Sequence, residues 1–343
     1  MKSMEYREWL DKHVKIGKEV LWVTQKEVEE MGIPRETVFE LTEKALAYHG
    51  KKEVEMPAKI GIHPHTQPNT LMHAMPGYIP AEYIACLKWG GCFPENRQKF
   101  NLPQTSGLMV YNDHESGIPV AVTDAVWITK MRTAAVSMAG AKYLANPKTE
   151  VAAQIGCGVQ GTEHVKFMEL ALPHLKEILI YDVYPAAMDA LIKECQPSVK
   201  AKIVKTNSFE EVVKGAETVF STSTITSSPS PKIKDEWVRA GQTLILVDMH
   251  TLYDDKTMKR ADKYLVDSIE EHVYFESIGY YPHGLPEIYG ETGEVVAGIK
   301  KGRESKDELI VDNNTGMSVE DAMVVKHIVG LALERKIGRL LPL

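Results

Sequence analysis

Residues 151–182 read VAAQIGCGVQGTEHVKFMELALPHLKEILIYD. A short apolar run over 151–155 leads into a glycine-rich turn, and a helical pattern then continues to about Leu172. A second apolar run over 177–181 ends at Asp182. This order predicts a strand, a tight turn, a helix and a second strand, which is typical of a doubly wound α/β sheet.

The turn carries the spacing G-x-G-x-x-G at Gly156, Gly158 and Gly161. In this context the first glycine allows the tight turn, the second lets the backbone approach a pyrophosphate, and the third lets the helix lie close to the strand. The helix start adds N–H groups and the positive end of its dipole. Asp182 is placed to accept hydrogen bonds from the adenosine ribose and to repel a 2′-phosphate. The stretch therefore predicts NAD(H) in preference to NADP(H); the alternative is a glycine-rich turn in another kind of α/β protein.

Composition indicates a globular protein of about two domains. The chain has 343 residues, of which 44% are hydrophobic and 25% are charged. The 40 Lys and Arg against 47 Asp and Glu give a net charge of −7, and no basic run suggests a nucleic-acid partner. No apolar run has the length of a membrane span, and the charged stretch 1–20 lacks the apolar core of a signal peptide. We therefore expect a cytoplasmic protein with no membrane partner.

The metal-ligating residue types are sparse. The four cysteines form no C-x-x-C pair, so we expect reduced thiols. An H-x-H pair at His63 and His65 could bind a metal on a strand, but no third ligand lies at a useful spacing. The sequence therefore predicts no metal site.

The remaining elements are predicted from periodicity and turn signals. Residues 1–50 look helical, 70–124 look rich in strands, and 124–144 look like one long helix with many small residues. Within the strand-rich part, 105–111 and 118–123 predict a hairpin. Further strands are predicted at 202–205, 218–221, 243–248, 263–267 and 309–313, and helices at 290–298 and 318–336. We expect the last helix to pack on the first domain.

Two cationic residues stand in apolar surroundings. Lys88 lies in an alternating strand over 82–89, where a lysine is costly unless it is paired. The alternative is a lysine that extends to solvent from a strand end. Arg132 lies beside the small-residue face of the long helix and could hold a carboxylate through two hydrogen bonds. The alternative is a surface arginine in an i, i+4 pair.

A carboxylate, Asp248, stands at the C-terminal end of the buried strand predicted over 243–248. Ligands of doubly wound sheets bind at the carboxyl ends of the strands, where Gly156, Asp182, Thr224 and Asp248 are all predicted to lie. The alternative for Asp248 is a turn or helix-capping residue.

Nine segments in this order resemble the ornithine cyclodeaminase and mu-crystallin family, from about residue 56 to about residue 336. They are MPAK at 56–59, MPGYIP, LKWGGCFPEN, GLMVYNDHESGIPVAVTD, RTAAVSMAGAKYLA, IGCGVQG, the strand-end Asp248, GEVVAGIKKGRESKDELIV and NNTGMSVEDAMVVKHIV. The resemblance implies a Rossmann domain inserted in an α+β substrate-binding and dimerisation domain built from both chain ends. The corresponding ranges here are 126–309 for the Rossmann domain, and 1–125 with 310–343 for the other.

The resemblance also implies roles for residues of the substrate site. Lys88 contacts the substrate, where it would orient the carboxylate or serve in proton transfer, while Arg132 and Lys59 hold the substrate carboxylate. Thr315 lies beside the substrate, and Asp248 handles protons at the reacting nitrogen. Cofactor contacts are implied at Val159, Gln160, Asp182, Thr224, Asn314, Thr105 and Arg132, besides Gly156, Gly158 and Gly161.

Two segments depart from the cyclodeaminase pattern. Cyclodeaminases carry Cys-Pro-Gly-Lys after the acid, whereas 249–252 read Met-His-Thr-Leu here, and 279–283 have no counterpart. We therefore expect an NAD(H)-dependent amino-acid dehydrogenase or imine (ketimine) reductase that acts on a small amino acid or cyclic imine. The resemblance also implies a homodimer. The alternatives are an ornithine cyclodeaminase, a lyase with catalytic NAD, and a non-catalytic binding protein like mu-crystallin.

Overall fold

A computed structural model describes residues 3–343. Its α-helices are α1 (Ser3–His13), α2 (Gln25–Glu30), α3 (Arg35–Gly50), α4 (Asn96–Phe100), α5 (Val126–Leu144), α6 (Val159–Ala171), α7 (Pro185–Cys195), α8 (Phe209–Gly215), α9 (Asp255–Lys259), α10 (Ile269–Ser277), α11 (Thr292–Val296) and α12 (Ser318–Arg335). Its strands are β1 (Glu19–Val23), β2 (Ile60–Ile62), β3 (Leu71–Ile79), β4 (Ile84–Cys92), β5 (Thr105–Asn112), β6 (Pro119–Asp124), β7 (Val151–Ile155), β8 (Glu177–Tyr181), β9 (Lys202–Lys205), β10 (Thr218–Ser221), β11 (Thr243–Leu246), β12 (Lys263–Val266), β13 (Gly290–Glu291), β14 (Ile310–Asn313) and β15 (Arg339–Pro342).

The chain forms two compact units. Unit 1 is Met1–Arg132 with Met317–Leu343, and unit 2 is Thr133–Gly316. The ranges expected from sequence differ from these units at both boundaries. Strand β14 pairs with β11 and β12 in the sheet of unit 2, and the first residues of α5 belong to unit 1.

Unit 1 contains a seven-stranded mixed sheet in the order β15-β1-β6-β5-β4-β3-β2. Strand β1 runs parallel to β6, and the other neighbouring pairs are antiparallel. The predicted hairpin is confirmed as β5 and β6. Helix α12 packs against α3, β3 and β4, which confirms that the last helix returns to the first domain.

Side chains alternate between the two faces of this sheet. On β3, His73, Met75, Gly77 and Ile79 are buried, whereas the intervening residues are partly exposed. Lys88 of β4 lies opposite Met75 and is buried on the same face. The pleat of the sheet therefore fixes this lysine beneath α12.

The prediction that residues 1–50 are helical is wrong at β1. This five-residue strand pairs with β6 and with β15, a strand that was not predicted. Both strands are short and take their hydrogen bonds from distant parts of the chain, so local periodicity gave no signal for them. The predicted helix over 290–298 is shorter, because Gly290–Glu291 pairs with β12 before α11 begins.

Unit 2 contains an eight-stranded, all-parallel sheet in the order β13-β12-β14-β11-β10-β7-β8-β9. From β7 the chain adds β8 and β9 on one side, and then β10 and β11 on the other. This reversal confirms the predicted Rossmann-type topology and puts the switch point at β7 and β10, where such sheets bind ligands.

The small residues of α5 let this helix pack closely against β14. A Cβ at Gly140 would overlap the carboxylate of Asp312 on β14. The helix begins at Val126 rather than at residue 124, because Asp124 ends β6 and its carboxylate accepts a hydrogen bond from the backbone N–H of Trp127 at 2.8 Å. No helix within residues 3–343 combines the length and apolar character needed to cross a membrane.

Candidate active site

Three buried cations and two buried carboxylates form a cluster in unit 1. Lys59, Lys88 and Arg132 are 3%, 5% and 4% exposed. Asp321 of α12 binds Lys88 Nζ at 2.5 Å and Arg132 Nε at 3.0 Å. Glu320 binds Arg132 Nη1 at 3.0 Å. We call these five residues the cationic cluster.

The first turn of α12 fixes the two carboxylates of the cluster. The positive end of the helix dipole favours acidic residues at this position, and Glu320 also accepts a hydrogen bond from the backbone N–H of Met317 at 3.1 Å. The turn is held against β3, since Ser318 Oγ donates to the carbonyl of Pro76 at 2.6 Å. A Cβ at Gly77 would overlap Ser318, so the glycine permits this close approach.

The buried charges of the cationic cluster shift the pKa values of Lys88 and Asp321. Burial lowers the pKa of Lys88 to about 8, against the opposing effect of Asp321, with Arg132 and Lys59 lowering it further. Burial acts to raise the pKa of Asp321, but Arg132 and Lys88 outweigh it and hold the pKa below its usual value. Burial also lowers the pKa of the neighbouring His73 to about 3, so this histidine adds no charge. Buried lysine and arginine side chains of this kind are groups that can bind an anion.

The alternatives of a solvent-directed Lys88 and a surface Arg132 are both wrong. Lys88 does not extend to solvent, and Arg132 is not on the surface, because both side chains end in buried ion pairs. Their partners Glu320 and Asp321 were not predicted. Two consecutive acids at the start of an apolar helix could have predicted these ion pairs, because acids on a buried helix need charged or hydrogen-bonding partners.

In unit 2 the glycine turn has the geometry that its sequence predicts. Gly156 has φ +87°, and a Cβ there would lie 2.9 Å from the carbonyl oxygen of Thr222. A Cβ at Gly161 would overlap the carbonyl of Gly156, so α6 lies close to the turn. At Gly158, in contrast, a Cβ would meet nothing within 4 Å. This open space, at a helix start with no side-chain cap, fits a pyrophosphate.

The other predicted cofactor positions of unit 2 surround the same edge of the sheet. Asp182 is half-buried and accepts hydrogen bonds from the backbone N–H groups of Cys157, at 2.7 Å, and Tyr184, at 2.9 Å. Asn314 Nδ2 donates to Asp312 at 3.0 Å, while its buried Oδ1 has no hydrogen-bond partner. An orphaned acceptor of this kind fits a hydroxyl or amide donor of a dinucleotide.

Val159 and Thr224 are exposed, at the start of α6 and in the loop after β10, and Gln160 is half-buried. Thr105 lies in unit 1, exposed at the start of β5. The structure therefore groups the glycines, Asp182, Thr224 and Asn314 in unit 2, and it leaves Thr105 in the other unit.

Asp248 is fully buried at the carboxyl end of β11. Its carboxylate accepts hydrogen bonds from Ser221 Oγ and from the backbone N–H of Ser223, both at 2.8 Å. Burial raises its pKa to about 6, although these hydrogen bonds act to lower it. The side chain thus joins the ends of two strands and also has a pKa suited to proton transfer near neutral pH.

Thr315 is held by an acid that the sequence analysis missed. Asp267, at the end of β12, accepts hydrogen bonds from the backbone N–H groups of Thr315, at 2.6 Å, and Gly316, at 2.5 Å. His272 lies 3.2 Å from the same carboxylate and 2.6 Å from the hydroxyl of Tyr281. This chain of buried contacts fixes the segment that carries Asn314 and Thr315. Across residues 3–343, no three His, Cys, Asp or Glu side chains are grouped so that they could hold a metal ion.

Comparison with known proteins identifies the family. The model of the ornithine cyclodeaminase/mu-crystallin family matches residues 18–336. The chain belongs to this family. It is 31% identical to the nodulation efficiency protein NfeD of Rhizobium meliloti, over 93% of this chain and 97% of that protein. It is 30% identical to the alanine dehydrogenase of Archaeoglobus fulgidus, again over 93% and 97%.

Solved structures of similar proteins agree with the fold. The Δ1-pyrroline-2-carboxylate reductase of Thermococcus litoralis, in complex with NADH and L-proline, has a TM-score of 0.82 and 26% identity over 93% of this chain and 99% of that chain. An archaeal alanine dehydrogenase dimer with bound NAD has a TM-score of 0.83 and 28% identity over 94% and 99%. The expected family membership is confirmed.

The ion pairs of the cationic cluster make a prediction for stability. In Asp321→Asn, Lys88 and Arg132 are left with one carboxylate, so the free energy of unfolding at pH 7 should fall by about 3–5 kcal/mol. The loss should shrink as pH rises, because the pKa of Lys88, already below its unfolded value, falls further without Asp321 and lets the amine become neutral. Urea unfolding at pH 7 and pH 9.5 measures both effects.

Glu320→Gln is the matched control for this experiment. Its partner Arg132 keeps its proton over the whole pH range, so the loss of stability should be the same at both pH values. Equal pH dependence in the two variants would contradict the assignment of Asp321 as the anion that holds Lys88 charged.

Proposed function

We propose that this protein is an NAD(H)-dependent oxidoreductase that acts on an amino acid or imine, as an amino-acid dehydrogenase or imine reductase. The observation that carries the proposal is the cationic cluster, whose three buried cations are of the kind that binds a substrate carboxylate. Alanine dehydrogenase and Δ1-pyrroline-2-carboxylate reductase, two relatives of this chain, are named for substrates that carry such a group.

In this proposal the cations of unit 1 bind and orient the carboxylate. Arg132 offers a planar group that can bind both oxygens, while Lys59 and Lys88 add positive charge from buried positions. Glu320 and Asp321 keep the two paired side chains in place, so that little side-chain entropy is lost on binding. A bound carboxylate between cations also makes the adjacent imine carbon a better acceptor of electrons.

Unit 2 supplies the cofactor site and a proton acceptor. Bound NAD(H) supplies the hydride chemistry at the α-carbon. Asp248, with a pKa of about 6, is mostly ionised at neutral pH and would take a proton from the substrate nitrogen or from an attacking water. Ser221 and the backbone N–H of Ser223 hold this carboxylate in one orientation.

Ornithine cyclodeamination with catalytic NAD is the second candidate. The same carboxylate site and the same proton acceptor would serve it, and the family includes such enzymes by its name. The replacement of Cys-Pro-Gly-Lys by Met-His-Thr-Leu after Asp248 removes a lysine and favours the dehydrogenase or reductase. A binding role without catalysis is disfavoured, because relatives of this chain are named as a dehydrogenase and a reductase.

A screen of amino acids with NAD, and of 2-oxo acids plus ammonia or cyclic imines with NADH, tests the proposed function. We expect steady formation or consumption of NADH with at least one substrate. Proline and ammonia from ornithine without net NADH would instead identify a cyclodeaminase. No turnover in either direction would contradict both.

Within the same screen, Arg132→Ala should reduce kcat/KM by roughly 100-fold or more, since a buried charged partner of the carboxylate is lost. Lys142→Ala, which changes an exposed cation on the same helix α5, should leave kcat/KM within about twofold. Equal activities of the two variants, with both folded, would show that Arg132 does not bind the substrate.

We propose NAD(H) as the preferred cofactor on the basis of Asp182, whose carboxylate would repel a 2′-phosphate. Titration by fluorescence should give a Kd for NADH at least about tenfold below that for NADPH, which corresponds to roughly 1.4 kcal/mol. In Asp182→Asn, which keeps a hydrogen-bond acceptor but removes the charge, the ratio of the Kd for NADPH to the Kd for NADH should fall. Tighter binding of NADPH by the unchanged protein would overturn this role of Asp182.

We also propose a homodimer formed through the outer face of the unit 1 sheet. Ile60, Ala74, Trp89 and Leu108 lie opposite one another across β2 to β5, and Ile60, Trp89 and Leu108 are 68%, 40% and 41% exposed. A continuous apolar row on a sheet face favours burial against a second copy. Light scattering should give twice the chain mass of 38.4 kDa, and Trp89→Glu should give the monomer; a monomeric unchanged protein would contradict this.

A further inference from the structure

The strand that leads into the glycine turn of unit 2 contains a fully buried glutamine. Gln154 of β7 is 0% exposed, and in the parallel sheet it lies between Ile180 of β8 and Phe220 of β10. Strands in the middle of a parallel sheet are normally apolar, because a buried amide is costly unless its donors and its acceptor are hydrogen-bonded. The contacts of this side chain therefore indicate why a glutamine stands here.

The amide nitrogen of Gln154 contacts the glycine turn from its buried side. Nε2 donates to the carbonyls of Ile155, at 3.0 Å, and Gly156, at 3.1 Å. It also donates to Thr222 Oγ1 at 3.0 Å, and this hydroxyl donates to the carbonyl of Gly156 at 3.2 Å. The missing Cβ of Gly161 leaves room for the amide, since a Cβ there would lie 3.2 Å from Nε2. Gln154 and Thr222 together hold the carbonyl of Gly156 toward the interior.

The orientation of this carbonyl determines the direction of the next N–H group. The peptide bond between Gly156 and Cys157 is planar and trans, so its carbonyl and its N–H point in opposite directions. The N–H donates to Asp182 Oδ2 at 2.7 Å, and Oδ1 of the same carboxylate accepts from the backbone N–H of Tyr184 at 2.9 Å. Through one peptide plane, Gln154 therefore orients the carboxylate that we propose for the adenosine ribose.

The amide oxygen of Gln154 argues against a role in stability alone. Oε1 is buried and has no hydrogen-bond partner among residues 3–343. An unpaired buried acceptor destabilises the folded protein, and an unbranched methionine at this position would avoid that cost. Both carbonyls would keep a donor without Gln154, because Ile155 accepts from the backbone N–H of Thr222 at 2.9 Å and Gly156 accepts from Thr222 Oγ1. An apolar residue would therefore serve the fold at least as well.

We propose that Gln154 is a positioning residue of the dinucleotide site, which fixes the peptide between Gly156 and Cys157 and so orients both the phosphate-binding turn and Asp182. The proposal rests on the proposed NAD(H) site and adds a residue that acts through its neighbours. Without the amide this peptide is held less firmly. A rotated peptide would turn a carbonyl oxygen toward the phosphates and withdraw the N–H group from Asp182.

Gln154→Met separates this role from a structural one. The Kd for NADH, measured by fluorescence titration, should rise about fivefold, and the Kd for ADP-ribose, which has the pyrophosphate without the nicotinamide, should rise equally. The ratio of the Kd for NADPH to that for NADH should fall, because Asp182 is less well oriented. The midpoint of thermal unfolding without cofactor should stay the same or rise. Unchanged Kd values, or a clear fall in the midpoint, would overturn the proposal.

Gln242→Met is the matched control. Gln242 is a second fully buried glutamine, which directly precedes the start of β11. Its Nε2 donates to the carbonyls of Val213 and Ala216, and its Oε1 accepts from the backbone N–H of Arg239, all at 2.8 Å. Because its donors and acceptor are satisfied, Gln242→Met should lower the unfolding midpoint and leave the Kd values for NADH and ADP-ribose unchanged. An equal rise of these Kd values in both variants would overturn the proposal.

Thr222→Val tests the same peptide from its other donor. The variant removes the hydroxyl that donates to Gly156 and keeps the shape of the side chain. One donor to Gly156 remains in each single variant, so Gln154→Met with Thr222→Val should raise the Kd for NADH by more than the product of the two single effects. Effects that simply multiply would contradict a shared hold on this carbonyl. If the unchanged protein binds neither NADH nor ADP-ribose, the proposed cofactor site fails and this inference fails with it.

Discussion

The burial of three cations beside two carboxylates is the constraint on which the account of unit 1 depends. Such a group is costly to form, because each charge loses its hydration. The first turn of α12 offsets this cost by placing Glu320 and Asp321 in ion pairs with Arg132 and Lys88. The same three cations are the groups that we propose for binding the substrate carboxylate.

The two units meet different chemical demands with different backbones. In unit 1 the alternation of a sheet and the dipole of a helix aim charged side chains at one another. In unit 2 a parallel sheet ends in turns whose glycines and carboxylates leave backbone groups and open space for a ligand. At this edge the single buried carboxylate of Asp248 joins the ends of β10 and β11 through its hydrogen bonds, and its burial raises its pKa to about 6.

Local patterns made much of this predictable from the sequence. The stretch 151–182 alone predicts the glycine turn, the two strands beside it and Asp182. Each of these features has a local sequence pattern. Lys88 and Arg132 stood out because charged residues are unusual among apolar and small neighbours. What no local pattern contained was the partner of each charge, since Asp321 lies 189 residues from Arg132 along the chain.

The same reason explains the strands and the contacts that were missed. β1 and β15 are short and depend on pairing with each other and with β6. His250 and Tyr281, whose ring centroids lie 4.9 Å apart, belong to two segments that the sequence marked only by their departure from a pattern. Spacing marked them as different, but only the fold brings them to one place.

The most direct test of the central claim is a crystal structure of the protein with NADH and a substrate or an unreactive carboxylate. We expect the carboxylate to lie within hydrogen-bond distance, about 3 Å, of at least two of Lys59, Lys88 and Arg132, with Glu320 and Asp321 still paired to their cations. A carboxylate bound elsewhere, while Lys88 and Arg132 keep the partners they have now, would contradict it.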